Sequence, residues 1–329
     1  MRSLHASDRI FALPQCLGHD VEPASSGSTR HHWRCLVARP LRCVERDARC
    51  MADVALPDGP TLFCQTMGEG PLVVVCAGGP NSTFDYLTED LAPLARDFTL
   101  AFHDYRGSGR SSSASPDTYT FEHLADDALA LAETLGFASF DVLAHSMGGM
   151  VALSIALRHP AAVRRLVVID ASPSGVASRM AVPTLKALGA LRLAKVCGRS
   201  LRYLLWWRWR PDSEARTLAR FSIMGTMQEG ALEHREEVRR REVFADNDNA
   251  AHLERYASTF DVVDRLASIE VPTLVIYGSR DAPFVAGSRL LVDSMPQVIE
   301  LRIEDSGHHP LVEDHDRVVA EISTFLHQP

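Results

Sequence analysis

From Leu72 onward the chain alternates short apolar runs with longer amphipathic stretches, and this rhythm restricts the fold more than any other feature. Runs of five or six apolar residues without polar alternation suit strands covered on both faces, the condition of a parallel sheet with helices on either side. The runs are Leu72 to Cys76, Phe98 to His103, Phe140 to Ala144, Arg165 to Ile169, Thr273 to Tyr277 and Val298 to Ile303, the last interrupted by Glu300 and Arg302. Two further strand-like runs flank the turn Pro57-Asp58-Gly59-Pro60 and bring the expected number to eight. Leu124, Ala128, Leu131 and Leu135 recur at helical steps and stop at Gly136, which marks an amphipathic helix between the second and third long runs. The expected class is α/β, a mostly parallel eight-stranded sheet with helices on both faces.

The rhythm breaks over residues 174–261, helix-prone sequence that separates the Arg165 run from the Thr273 run. It reads as a helical cap over a core formed by residues 51–173 and 262–329. Tyr203, Trp206, Trp207 and Trp209 lie too close in sequence to share one helix face, so some are expected against the core and others at a pocket. Arg202, Arg208 and Arg210 flank them, and a membrane-surface role for this helix is the alternative. Glu229, Glu233 and Glu236 are candidate partners for a substrate amine, against the plainer reading of a solvated helix face.

Residues 1–50 keep neither period for long and are expected to be poorly ordered, with Met51 a candidate native start. An Arg-rich targeting segment is the rival reading, and Asp8, Asp20, Glu22, Glu45 and Asp47 argue against it. Net charge is −8 over 329 residues, which excludes a nucleic-acid binder resting on bulk positive charge. No apolar run approaches the ~20 residues of a membrane span, and Met1 to Asp20 lacks a secretory apolar stretch. The cytoplasm is the default compartment. Oligomeric state is not legible. Seven cysteines without a CxxC pair make a poor disulfide scaffold and are read as free thiols. His31, Cys35, Cys43 and Cys50 form a candidate zinc cluster whose spacings fit no ligand pattern.

The chemistry concentrates at strand ends. Ala144-His-Ser-Met-Gly-Gly149 sits where an apolar run meets a helix reaching about Arg158. A serine on so sharp a turn needs small neighbours two residues away on each side, and Ala144 and Gly148 provide them, so Ser146 is the candidate nucleophile. A serine needs a base, and the base an orienting acid. Asp281 follows the Thr273 run, with Asp170 as the rival acid. His308 follows the last run, with His309 as the rival base; Gly307 favours His308 by permitting a sharp turn before it. The order Ser146, Asp281, His308 is that of one of three unrelated triad arrangements. Met147 N–H and Gly79 N–H, the latter after the first long run, are the candidate oxyanion donors, since Pro80 has no N–H.

Ala77-Gly-Gly-Pro-Asn81, His103-Asp-Tyr-Arg-Gly-Ser-Gly-Arg-Ser111, Ala144-His-Ser-Met-Gly-Gly149, Gly278-Ser-Arg-Asp281 and Ser306-Gly-His-His-Pro310 together resemble the α/β-hydrolase superfamily, and within it the proline iminopeptidase-like group. The resemblance spans Ala52 to about His327, with the cap matched loosely. It implies the α/β-hydrolase fold and a Ser146–Asp281–His308 triad, with neither metal nor organic cofactor. The usual His-Gly-Gly-Pro-Gly stands here as Ala77-Gly-Gly-Pro-Asn81, and Gly-Gly-Ser-Trp-Gly as Ala144-His-Ser-Met-Gly148, departures that point to the esterase and carbon–carbon hydrolase branches. The expected function is hydrolysis of an ester, lactone or similar acyl bond of a small molecule. An aminopeptidase of the proline iminopeptidase type and a non-catalytic ligand receptor on the same fold are the alternatives. Dehalogenase and epoxide hydrolase chemistry on this fold uses a carboxylate nucleophile and is disfavoured by Ser146. The glycines of His103 to Ser111 lack the third Gly or Lys of a phosphate loop, so the segment is read as structural.

Overall fold

The third strand shows how the core is built. In β3 (Leu72–Cys76) all five residues are buried, and they alternate between two apolar clusters. Leu72, Val74 and Cys76 enter one cluster; Val73 and Val75 enter the other. A strand with period-2 geometry and apolar residues at every position can be satisfied only by cover on both faces. This computed structural model describes residues 49–80, 82–175 and 250–328, with isolated residues at 179, 194, 197 and 198.

The other strands are β1 (Cys50–Ala55), β2 (Thr61–Met67), β4 (Thr99–His103), β5 (Phe140–His145), β6 (Val163–Ile169), β7 (Thr273–Gly278) and β8 (Val298–Ile303). They form one sheet in the order β1-β2-β4-β3-β5-β6-β7-β8. β1 and β2 are antiparallel, β2 meets β4 antiparallel, and every later pairing is parallel. This is the α/β-hydrolase fold expected from the sequence.

The described helices are α1 (Asp85–Leu91), α2 (Phe121–Thr134), α3 (Met147–Arg158), α4 (Ala250–Thr259), α5 (Ala282–Ser294), α6 (Pro310–Glu313) and α7 (His315–Leu326). The apolar sides of α2, α3, α4 and α5 enter one cluster, whereas α1 and α7 enter the other. Thr120 caps α2 by accepting His123 N–H, and Gly136 follows its end at φ +88°, a conformation that glycine adopts without steric cost. None of the described helices is long and apolar enough to cross a membrane.

At the two bounds of the segment expected as a cap, Ser174 and Asp261 form an antiparallel bridge and Gly175 N–H donates to Phe260 O at 2.8 Å. The Trp-rich stretch, the three cap glutamates, and His31, Cys35 and Cys43 lie outside the described residues. Two cysteine readings meet the structure. Cys64, Cys76 and Cys197 are free thiols. Cys50 is instead disulfide-bonded, which corrects the free-thiol reading there and removes it as a thiolate ligand for zinc; spacings that exclude a disulfide scaffold do not exclude a single bridge.

Candidate active site

β5, β6 and β7, together with the segment after β8, deliver their polar residues to one edge of the sheet because the strands run parallel and end together. Ser146 follows β5 with φ 56° and ψ −122°, a left-handed conformation uncommon for a side-chain-bearing residue. The turn is held by Ser146 N–H donating to Ile169 O at 2.9 Å. It also requires Gly148: a Cβ there would stand 2.2 Å from Cys76 O. The flanking small residue is therefore set by close backbone contact with the end of β3.

His308 is 6% exposed and reaches Ser146 from the segment after β8. Ser146 Oγ lies 2.9 Å from His308 Nε2, and His308 Nδ1 lies 2.7 Å from Asp281 Oδ2. With Nδ1–H donating to the carboxylate, Nε2 is left to accept the serine hydroxyl. Asp281 reaches this position because the backbone after β7 runs against that after β8: Arg280 N–H donates to Ser306 O at 2.8 Å, and a Cβ on Gly278 would stand 2.0 Å from Gly307 O. The three residues expected together are thus in one hydrogen-bonded series, and His308 rather than His309 is the imidazole bonded to Ser146.

The sequence-based reason for that choice needs revision. Gly307 is not among the residues with positive φ. Its N–H donates to the Glu313 carboxylate at 2.9 Å, and this anchor to α6 sets the approach of His308.

Met147 directly follows Ser146, and Gly79 directly follows Gly78. A Cβ on Gly78 would stand 3.2 Å from the Ser146 Cβ, so the loop after β3 runs alongside the serine. Gly78 N–H is taken by the Tyr86 hydroxyl at 2.7 Å. Among the described residues the N–H groups of Gly79 and Met147 have no hydrogen-bond partner.

Tyr86 and His145 are the residues that sequence reasoning missed. Because the Tyr86 oxygen accepts from Gly78, its single proton goes to His145 Nδ1 at 2.7 Å. His145 then carries its proton on Nε2 and donates to His308 O at 2.8 Å. Burial, followed by the neighbouring His308 and His309 charges, holds the His145 pKa well below the usual histidine value, so it stays neutral. The only sequence signal was the position of His145 inside the serine turn; Tyr86 on α1 carried none.

Asp170, the rival acid, is fully buried beside Asp281. Burial, reinforced by the Asp281 charge, pushes its carboxyl well above the usual range. Burial raises Asp281 too, against a hydrogen bond with Asp170 that acts in the opposite direction. His145, Asp170 and His308 bring donor atoms within 4.8 Å of one another, the arrangement among the described residues nearest to a metal site. The ring nitrogens of both histidines are engaged by Tyr86, His308 O, Ser146 and Asp281, so no free imidazole lone pair points inward.

The segment from His103 to Ser111 is tied to the fold. Arg106 is buried between Asp127 and Asp58, Tyr105 Oη donates to Ala77 O at 2.8 Å, and Arg110 lies over the Phe63 and Phe84 rings while bonding Asp104 and Asp85.

Residues 71–192 match the family described as alpha/beta hydrolase fold. A protein of Rhizobium rhizogenes provisionally named as the carbamate hydrolase RutD is 29% identical over 246 residues, covering 72% of this chain and 85% of that protein. A fluoroacetate dehalogenase of a Burkholderia species is 36% identical over 121 residues, 35% of this chain and 39% of that protein. Among solved structures, the proline iminopeptidase of Mycobacterium smegmatis superposes with a TM-score of 0.67 at 21% identity, covering 85% of this chain and 98% of that one. The chain has the α/β-hydrolase fold, and the proteins it resembles are named as hydrolases.

Proposed function

We propose that the protein is a serine hydrolase that cleaves an ester, lactone or similar acyl bond of a small molecule through an acyl-enzyme on Ser146. The observation that carries this reading is the series Ser146 Oγ, His308 Nε2 at 2.9 Å, and Asp281 behind Nδ1 at 2.7 Å. His308 accepts the Ser146 proton as the hydroxyl attacks a carbonyl carbon, and Asp281 stabilises the imidazolium. The N–H groups of Gly79 and Met147 stabilise the tetrahedral oxyanion, a type of contact worth ~10² to 10³ in turnover per donor. His308 returns the proton to the leaving group. Water then attacks the acyl carbon, giving up its proton to His308, which passes it to Ser146 Oγ as the acyl–oxygen bond breaks and the acid product leaves.

The resemblance to a protein named as a carbamate hydrolase supports this reading, because a carbamate also presents a carbonyl carbon to an oxygen nucleophile. Dehalogenation by alkyl displacement would call for a carboxylate where Ser146 stands.

Fluorophosphonate labelling of the full chain is expected to mark Ser146 and to be lost in Ser146→Ala. A panel of p-nitrophenyl acyl esters is expected to turn over, with proline p-nitroanilide left intact. An unlabelled wild type points to a ligand receptor, and turnover of the anilide alone to an aminopeptidase; either result overturns the proposal.

A further inference from the structure

Asp170 and Asp281 are both 0% exposed, and their carboxyls stand in hydrogen-bond contact. Each has one oxygen engaged by a donor: Asp170 Oδ1 accepts Gly278 N–H at 3.0 Å, and Asp281 Oδ2 accepts His308 Nδ1–H at 2.7 Å. The other two oxygens, Asp170 Oδ2 and Asp281 Oδ1, are buried and meet no N–H or side-chain O–H of another described residue. Two touching carboxylates shut away from water do not both ionise, since burial and like charge each favour the neutral form. One proton between the two orphaned oxygens satisfies both. Asp281 already accepts from an imidazole, so the ionised member is Asp281. Asp170 is held in place at φ 44°, its N–H donating to Ile276 O at 2.8 Å.

We infer that Asp170 is a positioning residue, a neutral carboxylic acid whose O–H donates to Asp281 Oδ1, so that the pair presents one negative charge and one fixed carboxylate face to His308. The pair's proton stays where it is during turnover: the Ser146 proton travels through His308 Nε2 to the leaving group, and Asp170 keeps its own. The other titratable groups facing the pair are His145, His308 and Glu313. None of them replaces the shared proton, because His145 Nε2–H is directed to His308 O and Glu313 accepts from Gly307 N–H. The effect on catalysis rests on the proposed triad; the protonation of Asp170 does not.

The test has two independent readouts on the full chain. Infrared spectra in D2O at neutral pH are expected to show the C=O stretch of a buried carboxylic acid, and Asp170→Asn to remove it. No such band in the wild type, or a band that survives the substitution, overturns the inference. The second readout is kcat/KM against a p-nitrophenyl ester over a pH series. Asp170→Asn keeps a donor toward Asp281 and an acceptor for Gly278, so activity is expected within about threefold and the acid limb unmoved. Asp170→Ala leaves Asp281 Oδ1 and Gly278 N–H without partners, and a fall of about tenfold or more is expected. Were Asp170 an ionised second acid, Asp170→Asn would instead lower kcat/KM about a hundredfold and move the acid limb to lower pH, since the imidazolium would lose a neighbouring charge. The behaviour of the infrared band decides the inference even if no ester is hydrolysed, in which case the hydrolase reading falls alone.

Discussion

Replacing Tyr86 by Phe removes one oxygen atom and breaks the chain that joins the loop after β3 to the backbone of His308. Tyr86 is 8% exposed, and its hydroxyl accepts Gly78 N–H and donates to His145 Nδ1, each at 2.7 Å. Phe keeps the ring and its edge contacts with His145 and His309, so the change isolates the hydroxyl. Two buried polar groups lose their only described partner, and each such group costs about 1–3 kcal/mol. Some relaxation is expected, so the loss of stability should be about 2–4 kcal/mol. The functional consequence follows from geometry. Gly78 precedes Gly79, and His145 holds the carbonyl of His308, so both the proposed oxyanion donor and the base lose an anchor. Misplacement on the order of 1 Å costs about a hundredfold in rate. Urea unfolding measures the first effect, and the rate of fluorophosphonate labelling of still-folded protein measures the second. A loss of stability below about 0.5 kcal/mol with an unchanged labelling rate would show that this network does not organise the site.

Three further outcomes concern stability. His103 is buried, neither ring nitrogen has a partner among the described residues, and burial lowers its pKa to about 4. The unfolded chain takes up this proton near 6.5 while the fold refuses it until about 4, so stability is lost as pH falls through that window, by about 3 kcal/mol in all. His103→Leu should gain on wild type by that amount between the two pH values, and a pH-independent difference would refute the assignment. Asp127→Ala removes the buried carboxylate partner of the Arg106 guanidinium, whose side chain is 2% exposed, and is expected to cost about 3 kcal/mol in urea unfolding. Asp58→Ala, at the 44% exposed partner of the same arginine, should cost about 1 kcal/mol or less.

The fold was legible because its signal is local. Each of the six long apolar runs coincides with a parallel strand to within two residues, and the runs on either side of Pro57-Asp58-Gly59-Pro60 became β1 and β2. Burial on both faces imposes an apolar residue at every position of a central strand such as β3, and that constraint is written along the chain itself; β8, at the sheet edge, admits Glu300 and Arg302. The candidates Ser146, Asp281 and His308 were legible for a related reason. A parallel sheet brings successive strand ends to one edge, so chain order alone indicates which residues meet.

What only the tertiary structure decided are relations between residues distant in sequence. The approach of His308 depends on Glu313 gripping Gly307 and on Gly278 lying against it. The choice between Asp170 and Asp281 as the partner of His308 was open in the sequence, because both follow a strand and both carry a carboxyl. In the structure both are present at once: Asp281 receives the imidazole N–H, and Asp170 lies behind it. Tyr86 and His145 join the site through hydrogen bonds spanning 59 and 163 residues. A periodic pattern records which face of an element is covered. It holds no record of which donor in another element meets which acceptor, since that depends on how the two elements come together.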